Sequence, residues 1–318
     1  MCIRDRNNGS TLEYTIKSVL RAEVPPKYEK EIIVVDARST DNTPEILAKY
    51  KDKIKVIYDE GKGIGIARNM GILASRGDDI CFVDADCIVG KDHFKKIIKC
   101  LEEGADIVDV HARPPAINRL NLPKISKLEL IVWEVSKVYT NKRLLKNRCF
   151  AGGAFMSFKR EVFWKVGGLW SYPPYGADDM DFSYRAYRRG CNIRAINVFG
   201  TINLPRFTLP ELIREQKGWG KGYAYFIGKY RNDRLLWKCY DYPNVVYKLL
   251  SKYTWIYTII GLMMAPLKGL ALSIKLKNPH FMFYWIIRRY SFLFGLLLNL
   301  KKAFMYFSKH NCSSISRG

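Results

Sequence analysis

Residues 80–90 read ICFVDADCIVG, a short apolar run followed by two aspartates that are one residue apart. The apolar residues predict a buried strand that ends at Asp84. Negative charges as close as Asp84 and Asp86 repel each other unless a positive group lies between them. Alternate side chains of an extended chain point to the same side, so both carboxylates can reach one cation, and oxygen ligands suit Mg²⁺ or Mn²⁺. A solvated turn or a helix cap is the alternative explanation of this pattern.

Strands and helices alternate on the N-terminal side of this stretch. The predicted strands are residues 31–35, 54–58 and 80–83, and the predicted helices between them are residues 43–50 and 66–75. Such alternation predicts an α/β fold with a mostly parallel sheet and crossover helices. Ligands of open sheets bind beyond the carboxyl ends of the strands. Asp36 and Asp84 follow two of those ends, which favours a role in ligand binding for both.

A second acidic cluster, GADDMDF, occupies residues 176–182 and opens a predicted helix. One carboxylate at a helix N-terminus is usually a cap, but Asp178, Asp179 and Asp181 are more than capping needs. A carboxyl group that is partly buried beside others has a raised pKa and can act as a general base. Upstream of it, residues 150–158 (FAGGAFMSF) predict a strand that carries two glycines.

The charge of the chain is unevenly distributed. Lys and Arg outnumber Asp and Glu by 53 to 30, and residues 242–318 contain eleven basic residues and no acidic residue. Aromatic residues flank uncharged runs at residues 253–267, 279–287 and 290–300, each shorter than a spanning helix needs. We therefore expect two domains, residues 1–230 and a membrane-associated helical region, residues 231–318, bound to anionic lipid. A soluble helical subdomain is the alternative, and the interleaved apolar runs argue against nucleic-acid binding.

Four motifs occur in the order found in family 2 glycosyltransferases. EIIVVDARSTDNTPEI (residues 31–46) resembles the second-strand segment of that family, and GIARNMGILASRGDDICFVDAD (65–86) resembles its A-R-N-x-G segment followed by D-x-D. AGGAFMSFKREVFWKVGGLW (151–170) and GADDMDFSYRAYRRG (176–190) resemble its two later blocks. Each motif is loose, but the series over residues 7–222 is fairly specific. The resemblance implies a GT-A fold and an inverting transferase that uses a nucleotide-diphosphate sugar, more readily UDP-linked than GDP-linked.

The resemblance also implies roles for residues on the donor side. Asp36 would contact the nucleoside base or ribose, and Arg68 would lie close to the nucleotide. Asp84 would face the ribose and the metal, while Asp86 would hold Mg²⁺ or Mn²⁺ on the diphosphate. The residue after Asp36, usually a second Asp in the family, is Ala37 here.

On the acceptor side, the resemblance implies that Asp179 is the general base and that Asp178 and Asp181 support it. Gln216 and Trp219 resemble a partial Q-x-x-R-W element, which lacks its Arg here. The acceptor would be a lipid-linked or polysaccharide hydroxyl, and the enzyme would work at the cytoplasmic face of the cell membrane.

One departure from the family bears on activity. The family begins with an apolar strand, whereas this chain begins MCIRDRNNG, so the first strand of the sheet is expected to be missing, as in a truncated or mis-started sequence. An inactive, membrane-bound, glycosyltransferase-like protein is therefore one alternative. A haloacid-dehalogenase-like phosphatase is another, since its D-x-D also follows an apolar strand, with Asp84 as phosphoryl acceptor and Asp86 as acid/base. In that class the motif lies near the N-terminus, whereas at least two predicted strands precede it here.

Overall fold

The computed structural model describes residues 2–5, 7–113, 123–138, 148–170, 176–204, 208–239 and 253–310. Its strands are β1 (Cys2–Asp5), β2 (Ile33–Asp36), β3 (Lys55–Tyr58), β4 (Asp79–Asp84), β5 (Cys87–Ile88), β6 (Ile107–Arg113), β7 (Ser157–Lys159), β8 (Ile193–Phe199) and β9 (Ile202–Asn203). Its helices are α1 (Gly9–Arg21), α2 (Thr43–Lys49), α3 (Ile64–Ala74), α4 (His93–Glu102), α5 (Lys124–Val138), α6 (Arg160–Val166), α7 (Asp178–Arg188), α8 (Leu209–Tyr230), α9 (Arg234–Cys239), α10 (Thr254–Lys275) and α11 (His280–His310).

The strands of the main sheet lie in the order β3-β2-β1-β4-β7-β6-β8. The first four are parallel, β7 runs antiparallel to both of its neighbours, and β6 and β8 are parallel to each other. The expected mostly parallel sheet with flanking helices is therefore confirmed. Strands β5 and β9 pair separately as a short antiparallel ribbon.

The expectation that the first strand is missing is wrong. Strand β1 pairs with β2 through Cys2 opposite Ile33, and with β4 through Cys2 opposite Phe82. Its side chains Cys2 and Ile3 are almost fully buried. Helix α3 packs so closely on β1 that a Cβ on Gly71 would lie 2.2 Å from Sγ of Cys2. Four residues are enough to fill the strand position, since the two neighbouring strands supply its hydrogen-bond partners.

The two faces of the sheet bury two hydrophobic cores, which follow from the period-two alternation of strand side chains. On β2, Val34 lies in one core while Ile33 and Val35 lie in the other. Strand β4 divides in the same way, with Val83 in the first core and Phe82 in the second. Because both faces of the sheet are covered, both sets of strand side chains are apolar, which explains the continuous apolar runs in the sequence.

The register of the sheet aligns the carboxyl ends of β2 and β4, where ligand-binding residues were predicted. Asp36, at the end of β2, is opposite Asp5 of β1, and Asp84, at the end of β4, is opposite Arg4 of the same strand. Asp36 and Asp84 therefore follow strands on either side of β1 and lie at the same edge of the sheet.

The predicted strand over residues 150–158 is mostly wrong. Only Ser157 and Phe158 of that range belong to β7, and residues 148–156 form a loop. The backbone amides of Gly152 and Gly153 donate to side-chain carboxylates instead of a neighbouring strand. The long helix predicted over residues 124–146 is observed as α5, Lys124–Val138, and residues 139–147 lie outside the described residues.

The chain divides into two compact units. The first holds the sheet with α1–α4, α6 and α7, and the second holds α8–α11 and the start of α5, with the main boundary at residues 205–206. Within the second unit α8 and α11 are in close contact, because a Cβ on Gly220 would lie 2.0 Å from the carbonyl oxygen of Phe292. Two segments, Thr258–Lys275 and His280–Ser308, are long and apolar enough to cross a membrane, judged by length and composition alone.

Candidate functional site

Arg68 links the two acidic clusters that the sequence singled out. This residue of α3 is 4% exposed, and its Nη1 donates to Oδ2 of Asp178 at 2.8 Å. Its Nη2 donates to Oδ1 of Asp84 and to the carbonyl oxygen of Gly153, both at 3.0 Å. Its guanidinium group also lies over the ring of Phe82, 4.9 Å from the centroid. The positive group beside Asp84 is therefore Arg68, which holds one carboxylate of each cluster.

The charge of Arg68 is secured by its surroundings. Burial alone would lower its pKa, but the neighbouring carboxylates, Asp178 first and Asp84 next, raise it above its usual value. A buried guanidinium is tolerated only when it is paired and hydrogen-bonded. That of Arg68 is paired with Asp84 and Asp178 and also donates to the carbonyl oxygen of Gly153. Arg68 is thus a fixed positive charge at the edge of the sheet.

Asp179 is next to Asp178 but has a different environment. Its Oδ2 accepts from the amide of Gly153 at 2.6 Å, and its Oδ1 accepts from the amide of Met180 at 2.8 Å. Burial, and then the negative charge of Asp178, raise the pKa of Asp179 to about 6, although Arg68 and the two amides oppose the shift. A carboxyl group with a pKa near 6 is ionised at neutral pH and is still basic enough to take a proton.

Asp181, the third member of the cluster, has a structural environment. It is fully buried and accepts from Nε of Arg185 at 2.7 Å. The same guanidinium donates to the carbonyl oxygens of Val166 and Gly168. Asp181 therefore fixes α7 to the end of α6, and through that helix it positions Asp178 and Asp179.

The backbone between Asp84 and Asp86 is not extended. Strand β4 ends at Asp84, and Ala85 and Asp86 form a turn before β5, so the alternation used to predict the metal site does not continue through Asp86. Both carboxylates are half-buried. Among the described residues no group of three or more His, Cys, Asp or Glu side chains is arranged around a metal position. The donor set fits an ion that takes its remaining ligands from phosphate and water, as Mg²⁺ usually does.

Asp36 is 1% exposed and organises the loop that follows β2. Its Oδ1 accepts from the hydroxyl of Ser39 at 2.6 Å and from the Ser39 amide at 3.1 Å. The same hydroxyl accepts from the amide of Asn7, so this loop is tied to the segment after β1. Asp36 thus lies at the edge of the sheet, and its carboxylate accepts hydrogen bonds from Ser39.

Gln216 and Trp219 lie on α8, in the second unit. Gln216 is 1% exposed, and its Nε2 has no hydrogen-bond partner among the described residues. Trp219 is 36% exposed.

The sequence pattern did not identify Gly153 as part of the site. Its amide contacts Asp179, its carbonyl oxygen contacts Arg68, and a Cβ there would lie 2.5 Å from Nη1 of Arg68. Gly152, one residue earlier, has room for a Cβ, since the nearest atom would be 3.8 Å away. The pair of glycines was a signal for a close backbone approach, but the sequence alone did not show which of the two is required.

Solved structures of low sequence identity share this architecture. A mannosyltransferase from Pyrobaculum calidifontis, solved with GDP-Man and Mn²⁺, matches with a TM-score of 0.62 at 17% identity, over 95% of this chain and 86% of that one. Residues 1–349 of S. aureus TarS, solved with UDP-GlcNAc, match with a TM-score of 0.50 at 16% identity, over 97% and 91%. The expected GT-A fold is thereby confirmed.

Comparisons of sequence also indicate a glycosyltransferase. The poly-beta-1,6-N-acetyl-D-glucosamine synthase of Staphylococcus aureus is 27% identical over 222 residues, which are 68% of this chain and 52% of the synthase. The chain thus spans about half the length of that relative. The model of glycosyl transferase family 2 matches residues 2–167, just over half of the chain. The protein belongs to glycosyl transferase family 2.

Proposed function

We propose that the protein is a metal-assisted, inverting glycosyltransferase that moves a sugar from a nucleotide diphosphate to a hydroxyl acceptor. The observation that carries this proposal is the environment of Asp179. Its carboxylate is contacted by two backbone amides, whereas the adjacent Asp178 is paired with Arg68. Asp179 therefore remains available to take the proton of the attacking hydroxyl, a role worth about 10²–10⁴-fold in rate.

Inversion follows from a single displacement. The acceptor oxygen attacks the anomeric carbon as Asp179 removes its proton, and the bond to the diphosphate oxygen breaks on the opposite face. Asp178 supports this step indirectly, because its negative charge helps raise the pKa of Asp179. Asp181 supports it by fixing α7 through Arg185.

The donor side of the site would use Asp84 and Asp86. These two residues would hold Mg²⁺ or Mn²⁺, which stabilises the negative charge that develops on a leaving diphosphate. Arg68 keeps Asp84 in place at the end of β4. Asp36 would contribute to the nucleoside end of the donor, since it fixes the loop after β2 at the same edge of the sheet.

The proposed donor is a UDP-sugar. The curated relative is named for an N-acetylglucosamine polymer, and one structural neighbour was solved with UDP-GlcNAc. The other neighbour was solved with GDP-Man, so a donor screen must contain both nucleotides. The acceptor proposed is a lipid-linked or polysaccharide hydroxyl.

The site of action proposed is the cytoplasmic face of the cell membrane. Helices α10 and α11 expose several large apolar side chains, among them Met263, Ile274 and Phe283. Residues 242–318 carry no acidic side chain. Basic residues beside an apolar surface favour anionic lipid by about 1 kcal/mol each, and the cytoplasmic leaflet is the anionic one.

The test is a screen of UDP- and GDP-sugars for binding, with and without Mn²⁺ or Mg²⁺. We expect metal-dependent binding of one donor, which Asp86→Asn abolishes and Asp179→Asn preserves. With acceptor, Asp179→Asn should lose turnover by 10²-fold or more. Asp52→Asn, an exposed carboxylate in the turn after α2, is the matched control.

Three outcomes would contradict the proposal in different ways. If no nucleotide sugar binds with either metal, the transferase function is wrong. If Asp179→Asn abolishes donor binding, Asp179 belongs to the metal site and not to the acceptor. If the protein hydrolyses an aryl phosphate and Asp84→Asn removes that activity, the phosphatase alternative is correct. The inactive alternative has lost its structural premise, because β1 is present.

A further inference from the structure

A second carboxylate, in addition to that of Asp179, binds a backbone amide of the loop 148–156. Asp109 of β6 is 5% exposed, and its Oδ1 accepts from the amide of Gly152 at 3.1 Å. The next amide along the chain, that of Gly153, donates to Asp179. Two consecutive N–H groups therefore donate to two different carboxylates, and the peptide between them can move only if one of these bonds changes.

Asp109 is held as an ionised group. Its Oδ2 lies 2.9 Å from Nη2 of Arg148 and 3.1 Å from Nε2 of His111. Burial alone would raise the pKa of Asp109, but the hydrogen bond from His111 and the charge of Arg148 outweigh burial and keep the pKa below its usual value. An ionised carboxylate accepts a stronger hydrogen bond from a backbone amide than a neutral carboxyl group does. The pairing with Arg148 therefore strengthens the hydrogen bond from Gly152 to Asp109.

The rest of the loop is fixed as well. Nε of Arg148 donates to the carbonyl oxygen of Phe150 at 3.2 Å, and the amide of Ala151 donates to Oγ of Ser183 at 3.1 Å. The carbonyl oxygen of Gly153 accepts from Arg68. Residues 148–153 thus lack regular secondary structure but have side-chain partners for several successive backbone groups. A loop held in this way transmits a change at Asp109 directly to the amide of Gly153.

We propose that Asp109, held by Arg148, is a positioning residue that places the Gly153 amide against the carboxylate of Asp179. The role of Asp179 as base rests on the proposed function, but the contact itself can be tested without a substrate. Among the described residues, the groups that shift the pKa of Asp179 are Asp178 and the amide of Met180 on its own helix, Arg68 on α3 and the amide of Gly153. Of these, the amide of Gly153 is the one that adjoins the peptide bound by Asp109.

The sequence offers a selective probe of that amide. Gly-Gly pairs occur only at residues 152–153 and 167–168, so a chain labelled with ¹³C-carbonyl and ¹⁵N glycine gives carbonyl-selected amide signals from Gly153 and Gly168 alone. Gly168 is the internal control, since its amide donates to the carbonyl oxygen of Phe163 and not to a carboxylate. The full chain in detergent micelles is titrated from pH 4 to pH 8.

In the wild type, we expect the Gly153 signal to titrate with a midpoint near 6 while Gly168 stays constant. Asp109→Ala should move the midpoint upward or reduce the pH-dependent shift by half or more, because the ionised form of Asp179 loses a donor. Asp109→Asn should restore most of the wild-type curve, since its amide oxygen can still accept from Gly152, though more weakly than an ionised carboxylate. Both variants remove the negative charge of Asp109, so their difference isolates the hydrogen bond.

The proposal is overturned if Gly153 in Asp109→Ala titrates as in the wild type, or if Asp109→Asn behaves like Asp109→Ala. Absence of any Gly153 titration in the wild type also counts against it. If the Gly168 signal of Asp109→Ala moves to the position of an unfolded chain, Arg148→Met replaces this variant, and we expect a smaller change of the Gly153 curve in the same direction. A wild-type curve in Arg148→Met then overturns the proposal. The titration needs no donor or acceptor. A negative donor screen would therefore contradict the proposed function without contradicting the positioning role of Asp109.

Discussion

The two acidic clusters at the carboxyl edge of the sheet differ in what surrounds their carboxylates. Asp84 and Asp86 lie on a strand end and a turn, half-buried. The cluster of α7 divides its three carboxylates among three environments: Asp178 with Arg68, Asp179 with backbone amides, and Asp181 with Arg185.

Two clusters of similar charge in the sequence therefore differ in what their individual carboxylates do. At the end of β4, Arg68 pairs with Asp84, one of the two carboxylates that the proposed function assigns to the metal. The α7 cluster satisfies two of its three carboxylates with internal cations and leaves the third with a raised pKa. Substitutions in α7 should therefore separate stability from activity, residue by residue.

The largest effect on stability should come from Asp181→Asn. This change breaks a fully buried ion pair, so that Arg185 loses its carboxylate partner and keeps the carbonyl oxygens of Val166 and Gly168. Breaking one side of a buried pair costs about 3–5 kcal/mol. Urea denaturation followed by tryptophan fluorescence measures the loss. A loss below about 1 kcal/mol would show that Asp181 is not the structural member of the cluster.

The next effect should distinguish the two glycines. Gly153→Ala puts a Cβ 2.5 Å from Arg68, so the guanidinium must move and loosen both of its carboxylate contacts. We expect a loss of about 2–3 kcal/mol, in the range of overpacking substitutions. Gly152→Ala is the matched control and should stay within about 1 kcal/mol of the wild type, because its Cβ has room. Equal losses in the same denaturation measurement would contradict this reading of the loop.

A smaller loss is expected for Asp178→Asn. Arg68 would keep Asp84 and the carbonyl oxygen of Gly153, so the guanidinium is not left unpaired. We expect a destabilisation of about 1–3 kcal/mol, the cost of losing one charged hydrogen-bond partner. The same change removes a negative charge beside Asp179, so the Gly153 titration should shift to lower pH. A shift to higher pH would mean that Asp178 acts on Asp179 mainly by another route.

The sequence predicted the sheet and the edge at which Asp36 and Asp84 lie, because those features are local. Short continuous apolar runs and the aspartates that follow them can be recognised within ten residues, as for residues 31–36 and 80–84. The first strand was missed because Cys2 and Ile3 are too few to form a recognisable run. Their burial depends on two neighbouring strands that are distant in sequence.

The contacts of the site could not be predicted in the same way. Arg68 lies 110 residues from Asp178 and 85 from Gly153, and no pattern along the chain pairs such residues. In the sequence, Asp109 is an ordinary polar residue of a strand. Its partners Arg148 and Gly152 are about 40 residues away, in a loop that was predicted partly as a strand. Side chains that satisfy backbone groups across the sheet become visible only in three dimensions.

The smallest and most diagnostic effect concerns Asp179→Asn and the pH dependence of stability. The folded pKa of Asp179 is about 6, against 3.8 for an unperturbed Asp, so its stabilising contribution is fully present below pH 3.8 and is lost as the pH rises through 6. Asparagine does not ionise, and the variant should therefore gain stability relative to the wild type between pH 4 and pH 8. We expect a relative gain of roughly 1–2 kcal/mol, less than the full shift implies because the carboxylate is partly exposed to water.

The measurement is the difference in unfolding free energy between the variant and the wild type at pH 4, 6 and 8. Groups that titrate identically in both proteins cancel in this difference, so the curve reports Asp179 and its interaction with Asp178. A flat difference for Asp179→Asn would mean that Asp179 ionises as an ordinary surface carboxylate, and the contrast between the two adjacent aspartates would then be wrong.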